Sequence, residues 1–293
     1  MDLKEYIEIK EDLYSNIFSQ INNDKAEQAI LRFHYIKFNQ NNEPKFNKLV
    51  EILIEHITYY SLSVSKRNKQ NDDAYKNKMY REARKLFRNL SKTGEFGEMI
   101  LWFLLESILK SPQVVAKMDL KTNSNDEIKG ADGIHVNISN EDILEIIFGE
   151  SKLYKTLSSA ITDAFNSIES FMKNKQYERE YSLITTHFKW MNTDKQEKLL
   201  NFLSDNIEAD EVKIKFAILI GFDWNKYKML QEPQTREELV SDFEDLYQEK
   251  AKKIKKTIDN KLNDFKYNHY EFDIFFLPFE SVENIRDRFR DEL

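Results

Sequence analysis

No cysteine occurs among the 293 residues, which excludes disulfides and thiolate metal sites and fits a reducing, cytoplasmic setting. Long apolar runs are also absent, since none approaches the roughly 18–20 residues that span a bilayer. The start, Met1-Asp2-Leu3-Lys4-Glu5, lacks the basic-then-apolar pattern of a signal peptide. There is no Walker loop, dinucleotide fingerprint or Gly-x-Ser-x-Gly elbow, so ATP use, nicotinamide chemistry and serine hydrolysis have no support. His34, His56, His135, His187 and His269 are scattered without metal-ligand spacing. Nor is there an excess of basic charge: 44 Lys and Arg against 51 Asp and Glu give −7. That balance argues against coating nucleic acid by bulk electrostatics, although a local basic strip could hold phosphates and a partner could deliver a substrate.

What is present describes a folded protein, with 41% hydrophobic and 13% aromatic residues and enough length to bury a sizeable core. Residues 1–40 carry a mixed pattern that fits neither period. Apolar spacing predicts a helix over Phe46–Val64 and a second over Asp72–Leu90. The second is basic, with Lys76, Lys78, Arg81, Arg84, Lys85 and Arg88 against Glu82. It is either a solvated face or a phosphate-contacting helix. After Gly94 comes a helix apolar nearly all round, from Met99 through Leu109, which should be buried on several sides and which Pro112 ends.

Three strand-like segments follow: Val114–Lys121, Gly133–Ile138 and Ile143–Leu153. The Asn-, Ser- and Asp-rich stretch Thr122–Lys129 reads as the loop between the first two. Ser158–Met172 has helical periodicity, Lys213–Phe222 reads as a buried strand, and Arg236–Lys261 as a charged helix. Tyr270–Leu277 is predicted as a last strand, stopped at Pro278. Within the charged helix Lys250, Lys252, Lys253, Lys255 and Lys256 form a second basic run, either solvated or facing an acidic partner or DNA. Trp102, Trp190 and Trp224 lie in apolar settings and read as core. No repeat or Gly/Ser linker divides the chain, and the order helix, three strands, helix, strand predicts an α/β sandwich.

The chemistry concentrates in Asp132, within Gly130-Ala131-Asp132-Gly133, and in Glu150-Ser151-Lys152 at the end of the run Ile143–Gly149. Strand side chains alternate, so Glu150 and Lys152 share a face. If the preceding strand begins near Asp132, then Asp132, Ile134 and Val136 share a face and His135 points away. Glu95 and Glu98 are spaced to lie on one side of the upstream helix and could approach from above. Asp132 and Glu150 are hard oxygen donors suited to Mg²⁺ or Mn²⁺, and Lys152 could orient a water or stabilise transition-state charge. Glu98 could add a metal contact, with Glu95 competing for that role. Glu-x-Lys alone says little, because it recurs at Glu8-Lys10, Glu43-Lys45, Glu127-Lys129 and Glu211-Lys213. Only Glu150-Ser151-Lys152 follows a β-branched run, a Gly-flanked Asp and a buried helix.

These residues resemble the PD-(D/E)xK nuclease superfamily, with Asp132 as its Asp, Glu150-Ser151-Lys152 as its (D/E)xK element and Glu98 as its helix acid. More narrowly, Gly-Glu-Phe-Gly-Glu, Lys-Gly-Ala-Asp-Gly-Ile-His and Phe-Gly-Glu-Ser-Lys-Leu-Tyr look like the HamA family, nuclease subunits of the Hachiman anti-phage system. The likeness is concentrated in residues 91–173. It implies a restriction-endonuclease-like core, a central mixed sheet flanked by helices, with N- and C-terminal helical additions. Residues 1–90 would then be a mostly helical extension packed on a core of 91–293, within one continuous domain. It further implies Mg²⁺ or Mn²⁺ as cofactor, Asp132, Glu150 and Glu98 as its ligands, Lys152 as the catalytic lysine, DNA as substrate, and a HamB-like helicase as partner. One departure stands out: Ala131 occupies the position of the motif's proline.

Overall fold

The computed structural model describes residues 3–26, 28–87, 94–121, 130–139, 141, 143–190, 196–208, 212–229 and 235–293. Its organising element is a six-stranded mixed sheet of order β1-β2-β6-β5-β4-β3. The strands are β1 (Phe18–Ala26), β2 (Ala29–Ile36), β3 (Gly133–Ile138), β4 (Leu144–Tyr154), β5 (Val212–Asp223) and β6 (Glu271–Phe279). β2, β6, β5 and β4 run parallel, and antiparallel partners, β1 and β3, form the two edges. Parallel strands are covered on both faces, which is why β4, β5 and β6 read as almost continuous apolar runs.

Helices lie on both faces. One layer holds α1 (Glu11–Ile17), α2 (Phe46–Glu55), α3 (Ile57–Ser61), α4 (Val64–Arg67), α5 (Asp73–Lys85), α6 (Glu95–Ser107) and α12 (Val282–Glu292). These pack on Ile147, Ala217, Leu219, Phe275 and Leu277. The opposite layer holds α7 (Leu157–Lys173), α8 (Gln176–Thr186), α9 (Gln196–Glu208), α10 (Lys226–Met229) and α11 (Arg236–Asn263), packed on Phe148, Phe216, Ile218, Phe272 and Ile274. The two sets alternate along each strand, as the period of two requires.

Several expectations hold closely: β3, β4, α7, β5 and α11 lie within a few residues of their predicted bounds. α11 opens with a capping box between Thr235 and Glu238. Others need correction. Val114–Lys121 is not a strand; Gln113 makes one isolated bridge to His135, and Lys117–Leu120 is a 3-10 turn. Pro112 cannot donate to a ladder, and the turn lets Lys117, Asp119 and Lys121 reach three separate partners. Among the described residues, two regular strands therefore lie between α6 and α7. The predicted helix over Phe46–Val64 is interrupted at His56, and the one from Asp72 ends at Lys85, with Arg88 outside the described residues. The loop Thr122–Lys129 also lies outside them.

Residues 18–36 supply two strands of the central sheet, which the mixed pattern had hidden. β1 is an edge strand with half-buried and exposed polar positions, so its alternation is weak. β6 runs through Pro278 to Phe279. Its even-numbered residues turn toward β2, as when Phe272 N donates to Gln28 O, and that pairing ends at Phe276. The missing N–H of Pro278 thus falls past the end of the β2–β6 ladder.

α6 is the helix that carries the two acids of interest, and both of its ends are fixed. At its start, a Cβ on Gly97 would lie 2.7 Å from Leu153 Cδ1 and 3.1 Å from Ser151 Oγ, so the missing side chain lets the helix lie close against β4. Near its end the buried Glu106 accepts from Glu8 N (2.8 Å), Ile9 N (3.2 Å) and Trp102 Nε1 (2.9 Å). Glu8 in turn pairs with Arg67 and with the buried Lys189, whose Nζ also donates to Gln113 Oε1 at 2.9 Å. Two carboxylates and two cations balance one another there, as burial demands.

Candidate active site at the open edge of β4

β3 pairs with β4 from Gly133 opposite Gly149 to Ile138 opposite Leu144, so residues 150–154 run on past the end of their neighbour. Asp132 stands at that point. Its N–H donates to Gly149 O at 2.8 Å, and its Oδ2 accepts from Ser151 N at 2.7 Å and Ser151 Oγ at 2.9 Å. The side chain therefore takes up the next rung of the ladder, where backbone would otherwise be required.

Glu150 and Lys152 share a face, as alternation predicts. That face is the one covered by α7, because Phe148 on the same side packs against Phe171 and Glu150 accepts from the Ser167 hydroxyl. Lys152 Nζ lies 2.6 Å from Glu150 Oε1. Glu98 enters from the other layer, on the first turn of α6, and its Oε2 accepts the Tyr60 hydroxyl at 3.1 Å. Glu95, on the same turn, has its Oε1 2.8 Å from Lys121 Nζ. His135 is buried and bonds Ser111 O at 2.8 Å, away from these groups.

The acids feel one another through a poorly solvated setting. Burial, then the Asp132 and Glu95 charges, push the Glu98 carboxyl up to about 8. Burial, then Asp132, raise Glu150 to about 7 against the pull of Lys152. Burial raises Asp132 also, opposed by its Ser151 bonds and by Lys152 and Lys117. For Lys152 burial works against the ammonium, yet Glu150 and Asp132 prevail and hold it above its ordinary value. Tyr60 is pushed well above the phenol range by burial and by the Glu98 and Asp132 charges. The structure thus brings Glu98, Asp132, Glu150 and Lys152 into one electrostatic neighbourhood spanning both faces of the sheet edge.

Sequence patterns gave no sign of the parts that hold Asp132. Lys117 Nζ donates to Ala131 O (2.6 Å) and pairs with Glu180 Oε1 (2.8 Å), and the same Oε1 accepts from Ala131 N at 3.2 Å. This buried pair grips both polar atoms of the residue before Asp132. Gly130 has φ +118°, and a Cβ there would fall 1.8 Å from Glu180 Oε1, so glycine is required. A proline at 131 would lose the N–H that Glu180 accepts, which accounts for Ala131 in this chain. Tyr60, Lys121 and Ser151 complete the surroundings, and their roles come from tertiary contacts with no local motif.

Carboxylates of this kind could hold a hard divalent cation, whose charge would offset their mutual repulsion. Among the described residues, no three His, Asp or Glu side chains are gathered as a ready-made metal cluster. Glu98, Asp132 and Glu150 would have to close on an ion from two layers and an edge.

Comparison with curated proteins finds no match. The HamA family profile matches residues 8–293, which takes in every strand, α6 and the whole of the site described above. By that match over nearly its entire length, the chain belongs to the HamA family.

Proposed function

We propose that this protein is a divalent-metal-dependent DNA nuclease of the PD-(D/E)xK type, acting as the effector subunit of a Hachiman anti-phage complex with a helicase partner. Family membership suggests the defence role. The nuclease reading rests on one observation: Asp132 and Glu150 flank the open edge of β4 beside Lys152, with Glu98 reaching the same neighbourhood.

Asp132, Glu150 and Glu98 would hold the cation. Bound Mg²⁺ or Mn²⁺ would supply Lewis-acid activation of water and neutralise charge on the phosphate. Lys152, kept protonated by Glu150, would donate to the attacking water or to a non-bridging phosphate oxygen. Glu98 would hold a proton in the free site and release it as the cation binds. Tyr60 would orient Glu98 through its hydroxyl.

DNA would lie along α5. Lys76, Lys78, Arg81, Arg84 and Lys85 are exposed there, while Met79, Ala83 and Phe87 face inward. The end of α5 borders the site, where Leu86 O accepts from Lys121 Nζ at 3.0 Å. The competing run on α11 is partly used up, since Lys252 pairs with Glu249 and Lys255 with Asp259. Among the described residues no helix is long and apolar enough to cross a membrane.

A second reading is a subunit that keeps the fold to bind DNA or the helicase without cutting. The dispersed arrangement of the three acids favours it. The two separate on calorimetric titration of Mn²⁺ or Mg²⁺ into wild type and Asp132→Asn, paired with cleavage of linear DNA by the chain and its complex. Cation uptake that depends on Asp132, and cleavage abolished in Glu150→Ala/Lys152→Ala, are expected of the nuclease. Absence of both in wild type leaves the binding subunit.

A further inference from the structure

We propose that Arg286, on α12, is a phosphate-binding residue of this site; the inference rests on the nuclease reading and adds a substrate contact to it. Its Nη2 donates to Leu153 O at 2.9 Å. In β4 the odd-numbered residues turn their polar atoms toward β3, as Gly149 O does to Asp132 N. Leu153 O therefore opens on the same bare edge as the Ser151 rung that Asp132 caps, two residues further along. At ~3.3 Å per residue that is about 7 Å from Asp132's anchor point. Arg286 thus extends the site along the strand edge, beyond the acids and on the side where β3 has ended.

Its charge is the second observation. Three arginines are paired with acids: Arg32 with Asp273, Arg67 with Glu8, and Arg290 with Asp287 on this same helix. Among the described residues Arg286 makes no ion pair, and its buried Nε has no hydrogen-bond partner. Burial outweighs the pull of Asp287, Tyr154 and Glu283, which act on this half-buried guanidinium only through space, and its Nη2 hydrogen bond goes to a neutral carbonyl. An arriving phosphodiester would offset its charge, and the planar fork of donors suits that group's paired oxygens.

α12 is also fixed well enough to present it. Val282 N donates to Asp223 Oδ1 at 2.7 Å at the end of β5, Ser281 caps Asn284 N, and the Phe289 ring packs tilted against Phe96, on the first turn of α6, with centroids 5.0 Å apart. The helix that carries Arg286 and the helix that carries Glu98 are therefore packed together.

The test uses the full chain with Arg286→Gln and Arg286→Lys. Binding of a fluorescein-labelled DNA duplex is followed in Ca²⁺ over a range of KCl, beside thermal unfolding and cleavage in Mg²⁺. Arg286→Gln should weaken binding at least tenfold and shallow the log–log salt slope by about one unit, as loss of one phosphate contact requires. Arg286→Lys should keep the slope, lose several-fold in affinity, and remain folded. A folded Arg286→Gln with unchanged affinity and slope overturns the proposal and leaves the residue a strut for α12. Should that variant not fold, an Arg286→Lys protein that binds and cuts like wild type overturns it equally. Wild type that binds DNA without ever cutting refutes the nuclease while the salt slope still decides Arg286. Wild type that does not bind at all refutes the Arg286 contact.

Discussion

The carboxylate of Asp132 stands where the next residue of β3 would pair with Ser151, accepting its N–H at 2.7 Å and its hydroxyl at 2.9 Å. The acid is thereby placed by sheet geometry and has little freedom of its own. Ser151→Ala keeps the backbone bond and removes the hydroxyl, so it should cost about 0.5–1.5 kcal/mol. Urea unfolding measures that loss. Divalent cation affinity at neutral pH should fall several-fold in the same variant, because one of the groups favouring the ionised Asp132 is gone.

The Lys117–Glu180 grip on Ala131 should be costly to break. Glu180→Ala leaves the buried Lys117 ammonium without its carboxylate, a loss of about 3–5 kcal/mol. Gly130→Ala drives a Cβ into Glu180 Oε1 from a left-handed backbone and should destabilise by at least ~1–3 kcal/mol. Chemical denaturation gives both values. Stability close to wild type in Gly130→Ala would mean that the loop before Asp132 is not held as described.

The raised carboxyls fix a pH dependence. Glu98, at about 8, and Glu150, at about 7, bind protons in the folded state that the unfolded chain, near 4.5, has already lost. Stability from these groups is fully present below about 4.5 and falls as pH rises to 7–8. Burial and Arg32 hold His34 at about 3, and burial holds His135 there, so they act oppositely below 6.5. Between pH 6.5 and 8 only the acid effect remains. Thermal unfolding in EDTA should therefore show a falling Tm over that window, with Mg²⁺ or Mn²⁺ restoring it more strongly at pH 8 than at pH 6.5. The buried Glu106, raised to about 7, adds to the fall and not to the metal response.

Reversing charge on α5 should separate the two basic surfaces. Arg81→Glu/Arg84→Glu/Lys85→Glu should lower DNA affinity by tenfold or more and flatten its salt dependence. The matching change at Lys252, Lys253 and Lys256 on α11 should have a smaller effect. These side chains are exposed, so Tm should move little in either protein. Filter binding at two salt concentrations is sufficient, and equal losses from both helices would remove α5 as the preferred track.

Where periodicity was strong, sequence and structure agree. β4 and β5 carry the apolar runs Ile146–Phe148 and Phe216–Ile220, buried on both faces, and α7 shows its stripe through Ile161, Ala164, Phe165 and Ile168. β1 was illegible because Gln20, Asn22, Asn23 and Lys25 are tolerated on an edge strand, where one side needs no apolar partner. The segment 114–121 has strand-like composition, yet its lysines and Asp119 each reach a different partner, a requirement that no local window contains. The same holds within the site. Alternation puts Glu150 and Lys152 side by side, whereas Glu95 and Glu98 look equivalent until Lys121 is seen to occupy one of them. Arg286, over a hundred residues from the motif, carries no sequence signal.

β6 lies between β2 and β5, although it follows every other described strand in the chain. A nascent chain stalled before Glu271 can form the β1–β2 hairpin and the β3-β4-β5 ribbon, with no strand to join them. α12 and Arg286 emerge later still. Such long-range closure is slow and exposes apolar edges while it waits. For a protein read as degrading DNA, a chain stopped short of β6 lacks both the strand that joins the two halves of the sheet and the arginine placed beside the acids.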